Sequence, residues 1–384
     1  MILAAELQMD GFAHLKINAG FIAALSSFDD VTYFGGRDQA ANLKRELRGV
    51  KGAGFSLMPV SNGYTYSSRV KKEIASTFAV LKLRSGIRRK KPSLVFVLSA
   101  SPLAKCLLNF FCRKFPVQVI IVCHGELEGL RAVSGNPLKQ SFWTARFLRN
   151  HAPNIHPLVM DERVYRNAAR CLGVRNISGS VLFYHPYVFR SSPAKGKNPA
   201  KTLRICFTGT ASAAKGAENM YSLADRLRAE IEAGVIELSF AGSVSPEIRR
   251  MSNGLVSMSG DTALVSDTEY SRRITSCDMI VFFYSDKQYS LTTSGALFDI
   301  LDYERPVVAL DSVLIREFMD RYGNVGVRTK DIDEMALTIR KIAKNKIKLN
   351  LMLKNIIKAK NTWSEEKYAG GLEEAMKKAG IKPR

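Results

Sequence analysis

Residues 278–310 read DMIVFFYSDKQYSLTTSGALFDILDYERPVVAL. An apolar run at 279–284 leads through a polar loop to a short helical pattern at 296–303. A second apolar run follows at 306–310. Neither run alternates with polar residues, which is the pattern of strands buried on both faces of a parallel sheet. Strand, helix, strand in that order is the crossover unit of such a sheet. The same unit repeats outward in both directions. Strands are predicted at 2–6, 31–34, 55–59, 93–99, 117–123, 155–160 and 180–183. A second series is predicted at 204–207, 236–240, 256–258 and 325–327. Helices are predicted at 15–25, 38–47, 67–89, 161–172 and 217–232, and again from 331 onward, with Trp363 between two segments. The series is interrupted once, at 190–201, RSSPAKGKNPAK, which has no large apolar residue and reads as a linker. The expectation is an α/β protein of two Rossmann-like domains. The first spans 1–189, with a linker at 190–202, the second spans 203–345, and terminal helices at 346–384 pack back across the domains.

Composition agrees. With 384 residues, 46% hydrophobic and 24% charged, the chain has material for two cores. No run of 18 uncharged apolar residues predicts a transmembrane helix, and the start reads as a strand rather than a signal peptide. The six cysteines include no CxxC pair and are expected to be reduced core thiols of a cytoplasmic protein. The net charge of +22 is uneven. Residues 1–200 carry 29 Lys+Arg against 11 Asp+Glu, and residues 201–384 carry 28 against 24. A basic half is expected to meet an anionic surface. No nucleic-acid signature is present, so the expected surface is lipid at the inner face of a membrane. The segment 51–91 holds ten Lys+Arg and one acid. Its helical part carries Val70, Ile74, Phe78, Leu81 and Ile87, as an amphipathic helix would.

Ligands of parallel sheets bind beyond the carboxyl ends of the strands, so the loops there hold the candidate residues. In QMDGFAHLKIN after the first strand, His14 precedes a helix. In VIIVCHGELEG, His124 and Glu126 follow a strand directly, with a glycine between them. His124 and His14 have the pKa range of a general base, and Glu126 is expected to orient His124 or to act as the base. In ICFTGTASAAKG, Gly209 and Lys215 form a strand–glycine–lysine loop suited to a diphosphate. In the opening stretch, Ser294 and Gly295 start a helix whose N–H groups are expected to face an anion. Asp299, one turn on, is placed to accept bonds from sugar hydroxyls. The pair Asp331 and Asp333 opens the tail helix, where first-turn acids are structural, and no metal site is assigned.

These motifs, in this order, resemble the GT-B glycosyltransferases, in particular the large retaining family numbered four and its relatives. The resemblance rests on Gly209, Lys215 and Gly216 in FTGTASAAKG, on IELSFAG at 236–242, and on Ser276-Cys277-Asp278 before a strand. It rests also on Pro306–Ala309 in YERPVVAL and on the His-Gly step of VIIVCHG. The form SGALFDIL at 294–301 resembles divergent members of bacterial polysaccharide assembly. Thr210 stands where the family has an arginine, and Glu304 where it has a glycine. The paired glutamates spaced eight apart fall on Leu291 and Asp299. The resemblance implies two domains facing a cleft, a nucleotide-sugar donor on the second domain and a glycan or lipid-linked acceptor on the first. It implies sugar transfer to a hydroxyl in cell-surface polysaccharide synthesis, with no cofactor. A sugar-nucleotide epimerase on the same scaffold and a non-catalytic basic membrane-binding protein are the competing readings.

Overall fold

A computed structural model describes residues 1–48, 56–59, 69–189, 202–258, 265–344 and 347–381, with the backbone alone at 56–59, 69–70 and 347–348. Contacts divide the chain into two units. The first comprises 1–188, 290–293 and 364–384, and the second 189–289 and 294–363. The expected linker at 190–201 lies outside the described residues.

The first unit is built on seven parallel strands. They are β1 (Ile2–Glu6), β2 (Val31–Gly35), β3 (Ser56–Pro59), β4 (Leu94–Ser99), β5 (Gln118–Cys123), β6 (Ile155–Met160) and β7 (Val181–Phe183), in the order β3-β2-β1-β4-β5-β6-β7. The order reverses between β1 and β4, so the loops after these two strands part and leave a crevice at the carboxyl edge. The register of β1 on β4 slips between Ala5 and Glu6, which brings Glu6 opposite Ser99. The second unit has six parallel strands: β8 (Leu203–Phe207), β9 (Ile236–Phe240), β10 (Val256–Ser257), β11 (Met279–Phe282), β12 (Val307–Leu310) and β13 (Gly326–Thr329). Their order is β10-β9-β8-β11-β12-β13, with the reversal between β8 and β11.

The unbroken apolar runs have a direct cause. Ile205, Phe207, Met279 and Val281 pack into one core of the second unit. Their neighbours Cys206, Ile280 and Phe282 pack into another. Successive side chains point to opposite faces, and both faces are covered.

Local departures from expectation have identifiable reasons. The pattern at 217–232 forms two helices, Asn219–Arg226 and Arg228–Glu232, which meet at Leu227. The pattern at 296–303 begins as a 3-10 turn, Gly295–Phe298, and becomes α-helical only at Asp299–Asp302. Four cysteines are buried, but Cys106 is half-buried and Cys171 is exposed, so not every thiol is a core residue. Burial pushes the Cys106 thiol up to about 11 and that of Cys112 to about 12. No described helix is long and apolar enough to cross a membrane.

The terminal helices divide between the units. Helix Ile347–Thr362 packs on Asp299–Asp302 in the second unit, where Lys360 Nζ bonds Asp302 O (3.0 Å) and Glu304 Oε1 (2.9 Å). Helix Glu365–Lys378 packs in the first unit on Leu15–Leu25 and β7. There Phe183 meets Tyr368 at 4.8 Å between ring centroids, and a Cβ on Gly371 would come within 3.0 Å of the Phe183 ring.

Candidate functional site

In the first unit the structure brings all three predicted residues to one place. The rings of His14 and His124 lie 4.6 Å apart, tilted by 30°. His14 is the N-cap of helix Leu15–Leu25, with a left-handed backbone (φ 58°) and no capping bond. A non-glycine residue there stores roughly 1–3 kcal/mol of strain. His14 Nδ1 is buried and has no partner among the described residues. His124 is tethered instead: its Nε2 lies 2.6 Å from Leu98 O.

A buried polar network, unforeseen from sequence, holds the His14 loop. Glu6 ends β1 and is fully buried. Its carboxylate accepts the N–H groups of Gln8 and Met9 (both 2.9 Å), Asn18 Nδ2 (2.9 Å) and the Ser99 hydroxyl. Gln39 extends the network. It accepts from Tyr33 OH and Asn18 Nδ2, and it donates to Ala13 O beside His14. Asp10 Oδ1 closes the loop by accepting Gly11 N–H (2.8 Å) and Gln39 N–H (2.9 Å).

Glu126 meets His124 through the backbone. One carboxylate oxygen pairs with the buried ammonium of Lys105, and the other accepts the backbone N–H of His124 (3.0 Å). Lys105 also donates to Val122 O (2.9 Å). With both oxygens engaged, Glu126 fixes the peptide of His124 and does not touch its ring. The isolated lysine in PLAKCLL was the available signal for this pair.

The imidazoles are held neutral. Burial lowers His14, with Glu6 and Glu126 partly opposing. Burial, then the neighbouring His14 and Lys105, drives His124 well below its usual value. His185, after β7, is pushed by burial down to about 4. In the unfolded chain these groups protonate near 6.5, but in the folded chain they do so only at lower pH. The unfolded state therefore binds more protons across that interval, and stability falls as pH drops from about 6.5 toward 4. Melting temperatures across this range should show the decline, and His185→Asn should make it shallower. An unchanged slope in that variant would remove His185 from the explanation.

In the second unit the loops after β8 and β11 meet at the reversal of strand order. Gly209 has φ 74°, and a Cβ there would lie 2.9 Å from Lys215 Nζ and 3.4 Å from Ala296 Cβ. The ammonium of Lys215 therefore rests over bare backbone beside the turn that Ser294 and Gly295 begin. Among the described residues it has no hydrogen-bond or ion-pair partner. Burial lowers its pKa, and the charge of Asp299 partly restores it. Gly216, with φ 67°, lets the chain turn directly under Phe283 O, 2.7 Å from where a Cβ would sit. Gln288 Nε2 donates to Ala213 O (3.0 Å) and ties the two loops together.

Asp299 lies behind this loop. It is buried and accepts from Tyr270 OH (2.6 Å), whose oxygen in turn accepts Gly209 N–H (2.8 Å). Its carboxylate thus braces the glycine loop through Tyr270. The Ser294 hydroxyl is bonded to Tyr284 OH (2.9 Å), so only backbone is left at that point. Thr210 is exposed and accepts from Ser243 Oγ (3.3 Å); Lys215 is the one cation of its loop. Gly242 explains the glycine of IELSFAG: a Cβ there would stand 2.1 Å from Gly209 O. Gly242→Ala should cost about 1–3 kcal/mol through forced backbone movement, and a melting curve equal to wild type would contradict that.

Leu291, the position of the earlier family glutamate, is buried in the first unit's core. Asp331 caps its helix through Glu334 N–H (2.8 Å), and Asp333 pairs with Arg226 (2.9 Å). Among the described residues no group of three His, Cys, Asp or Glu side chains is arranged to hold a metal ion.

The two parallel-sheet units, each with its strand order reversed at the centre, give the chain the GT-B fold. Solved structures agree over nearly its whole length. Sucrose-phosphate synthase from Thermosynechococcus elongatus superposes with a TM-score of 0.67 at 13% identity, covering 98% of both chains. HepE from Anabaena, solved in complex with UDP-glucose, gives 0.61 at 12% identity, covering 99% of this chain and 98% of that one. The glycosyltransferase SnogD from Streptomyces nogalater gives 0.51 at 14%, covering 98% and 99%. No family model and no curated protein matches the sequence.

Proposed function

We propose that the protein is a glycosyltransferase that moves a sugar, of hexosyl or related type, from a nucleoside diphosphate to a hydroxyl of a glycan or lipid-linked acceptor. The observation that carries this reading is Lys215. An ammonium that is half-buried, without a partner among the described residues and set against a glycine backbone at the strand-order reversal is costly unless an anion completes it. A nucleotide-sugar diphosphate supplies that anion, and HepE, of the same fold, was solved with UDP-glucose. The first unit supplies the base. In the reaction the acceptor oxygen bonds to the anomeric carbon as the bond from that carbon to the diphosphate oxygen breaks. The acceptor proton passes to an imidazole, and Lys215 offsets the charge that grows on the leaving diphosphate. The ring of His14 is less encumbered than that of His124, whose Nε2 is occupied by Leu98 O, so His14 is the preferred base. The excess charge of residues 1–200 fits a peripheral position at the cytoplasmic face of an anionic membrane, in the assembly of cell-surface polysaccharide.

Calorimetry with UDP, GDP and their sugars tests the donor site. Lys215→Ala should weaken the nucleotide that binds by about 1–3 kcal/mol, the range of a charged hydrogen bond. Its melting temperature should not fall, because no protein partner is lost. Unchanged nucleotide affinity in that variant would overturn the assignment.

A further inference from the structure

Helix Arg69–Lys90 is apolar on two faces. Ala79, Val80, Leu83 and Ile87 enter the core of the first unit. On the other side Ile74, Phe78 and Leu81 form a stripe at helical spacing, and they are 51%, 60% and 40% exposed. Ile87 of the predicted amphipathic face therefore belongs to the core, while Ile74, Phe78 and Leu81 point outward. Beside the stripe lies a groove of about 420 Å³ walled by Ile74, Phe78, Leu103, Pro137, Leu138 and Trp143. Leu138 is 83% exposed. Trp143 spends its one polar atom on Pro137 O (2.7 Å), which leaves its ring as wall.

The surroundings are cationic. The helix carries eight Lys and Arg and one acid, Glu73. Glu73 also borders the groove, but it accepts from Ser101 Oγ (2.6 Å). Lys71 and Lys82 stand at the two ends of the apolar stripe and are exposed. On the adjoining surface Arg84, Arg88 and Arg113 lie over the rings of Phe111, Phe115 and Phe110 at 5.1, 5.8 and 4.9 Å. Guanidinium over aromatic, beside an open apolar groove, suits a layer where hydrocarbon meets phosphate.

We infer that this groove takes one hydrocarbon chain of an anionic phospholipid of a bilayer, with the lysines and arginines around it on the phosphates of the negatively charged headgroups. A soluble anion would leave the groove empty, and a neutral apolar partner would leave the cations unused. The inference rests on the glycosyl-transfer reading only for the use made of the lipid, as acceptor or as anchor.

Trp143 is one of two tryptophans, so Trp363→Phe leaves it as the sole reporter. The probe is a vesicle of equal parts phosphatidylcholine and phosphatidylglycerol, the latter brominated in mid-chain. Bromine quenches Trp143 only if the chain reaches the groove. The expected result is quenching by anionic brominated vesicles, reversed by salt. Phe78→Asp with Leu138→Asp should abolish it and weaken vesicle binding roughly 100-fold, from the burial of two large apolar side chains. If the double variant misfolds by circular dichroism, Leu138→Asp alone is used, since that side chain is almost fully exposed. Co-sedimentation without quenching would overturn the groove, because charge alone would then hold the protein. Equal quenching by vesicles of brominated phosphatidylcholine alone would overturn the requirement for a net negative headgroup. Neither readout involves a donor, so nucleotide calorimetry separates failure here from failure of the glycosyl-transfer reading.

Discussion

Turnover by the His14→Asn variant should fall roughly 100-fold or more, the scale of a lost general base, while nucleotide affinity stays unchanged. Asparagine is the informative replacement because it tolerates the left-handed backbone that His14 adopts. Loss of activity then reports the imidazole and not a shifted loop. The same change in His124 should cost less if its ring serves mainly to support His14 at 4.6 Å. Equal losses would make the two rings one functional pair; full activity in His14→Asn would move the role to His124. A base that deprotonates the acceptor for direct displacement implies inversion at the anomeric carbon, which NMR of the product reads independently.

Lys105→Met should destabilise the protein by about 3–5 kcal/mol, because removing one partner of a buried ion pair strands the other. Burial acts against the Lys105 charge, but Glu126, Cys123 and Glu6 together outweigh it, and the ammonium is held above its ordinary pKa. In the variant, Glu126 would remain beneath the His124 peptide with no counter-charge. Urea titration measures the loss. Adding Glu126→Leu should recover part of it, since an apolar pair of similar volume replaces an ion pair at little cost. A single variant as stable as wild type would mean that Glu126 is adequately solvated without Lys105.

The strands were legible because burial on both faces leaves no room for polar residues, and β1, β6 and β9 begin and end where the apolar runs do. The loops that carry His14, His124 and Lys215 were legible for the same reason: chemistry follows directly where such a run stops. Supporting residues were not. Glu6 looks like the polar end of ILAAE, and Tyr33, Asn18 and Gln39 look like ordinary strand and helix residues until two strands and two helices bring them together. The sequence offers Glu126 as the base or as an orienter of His124, and it hides the ion pair because the partner Lys105 lies 21 positions away and no local pattern links them. The helix start at Ser294–Gly295 was misjudged as regular because hydrophobic spacing does not distinguish a 3-10 turn from an α-turn over four residues.

The first unit is assembled from three separate pieces of chain, the last of them containing helix Glu365–Lys378. That has a consequence during synthesis. Domains generally fold in the order in which they leave the ribosome, but here the second unit is nearly all translated before the first can be finished. Until the final helix emerges, the surface of Leu15–Leu25 and β7 that it covers stays bare, and until residue 291 emerges the core lacks Leu291. A nascent chain stalled before residue 364 should therefore hold a folded second unit beside an incomplete, protease-sensitive first one.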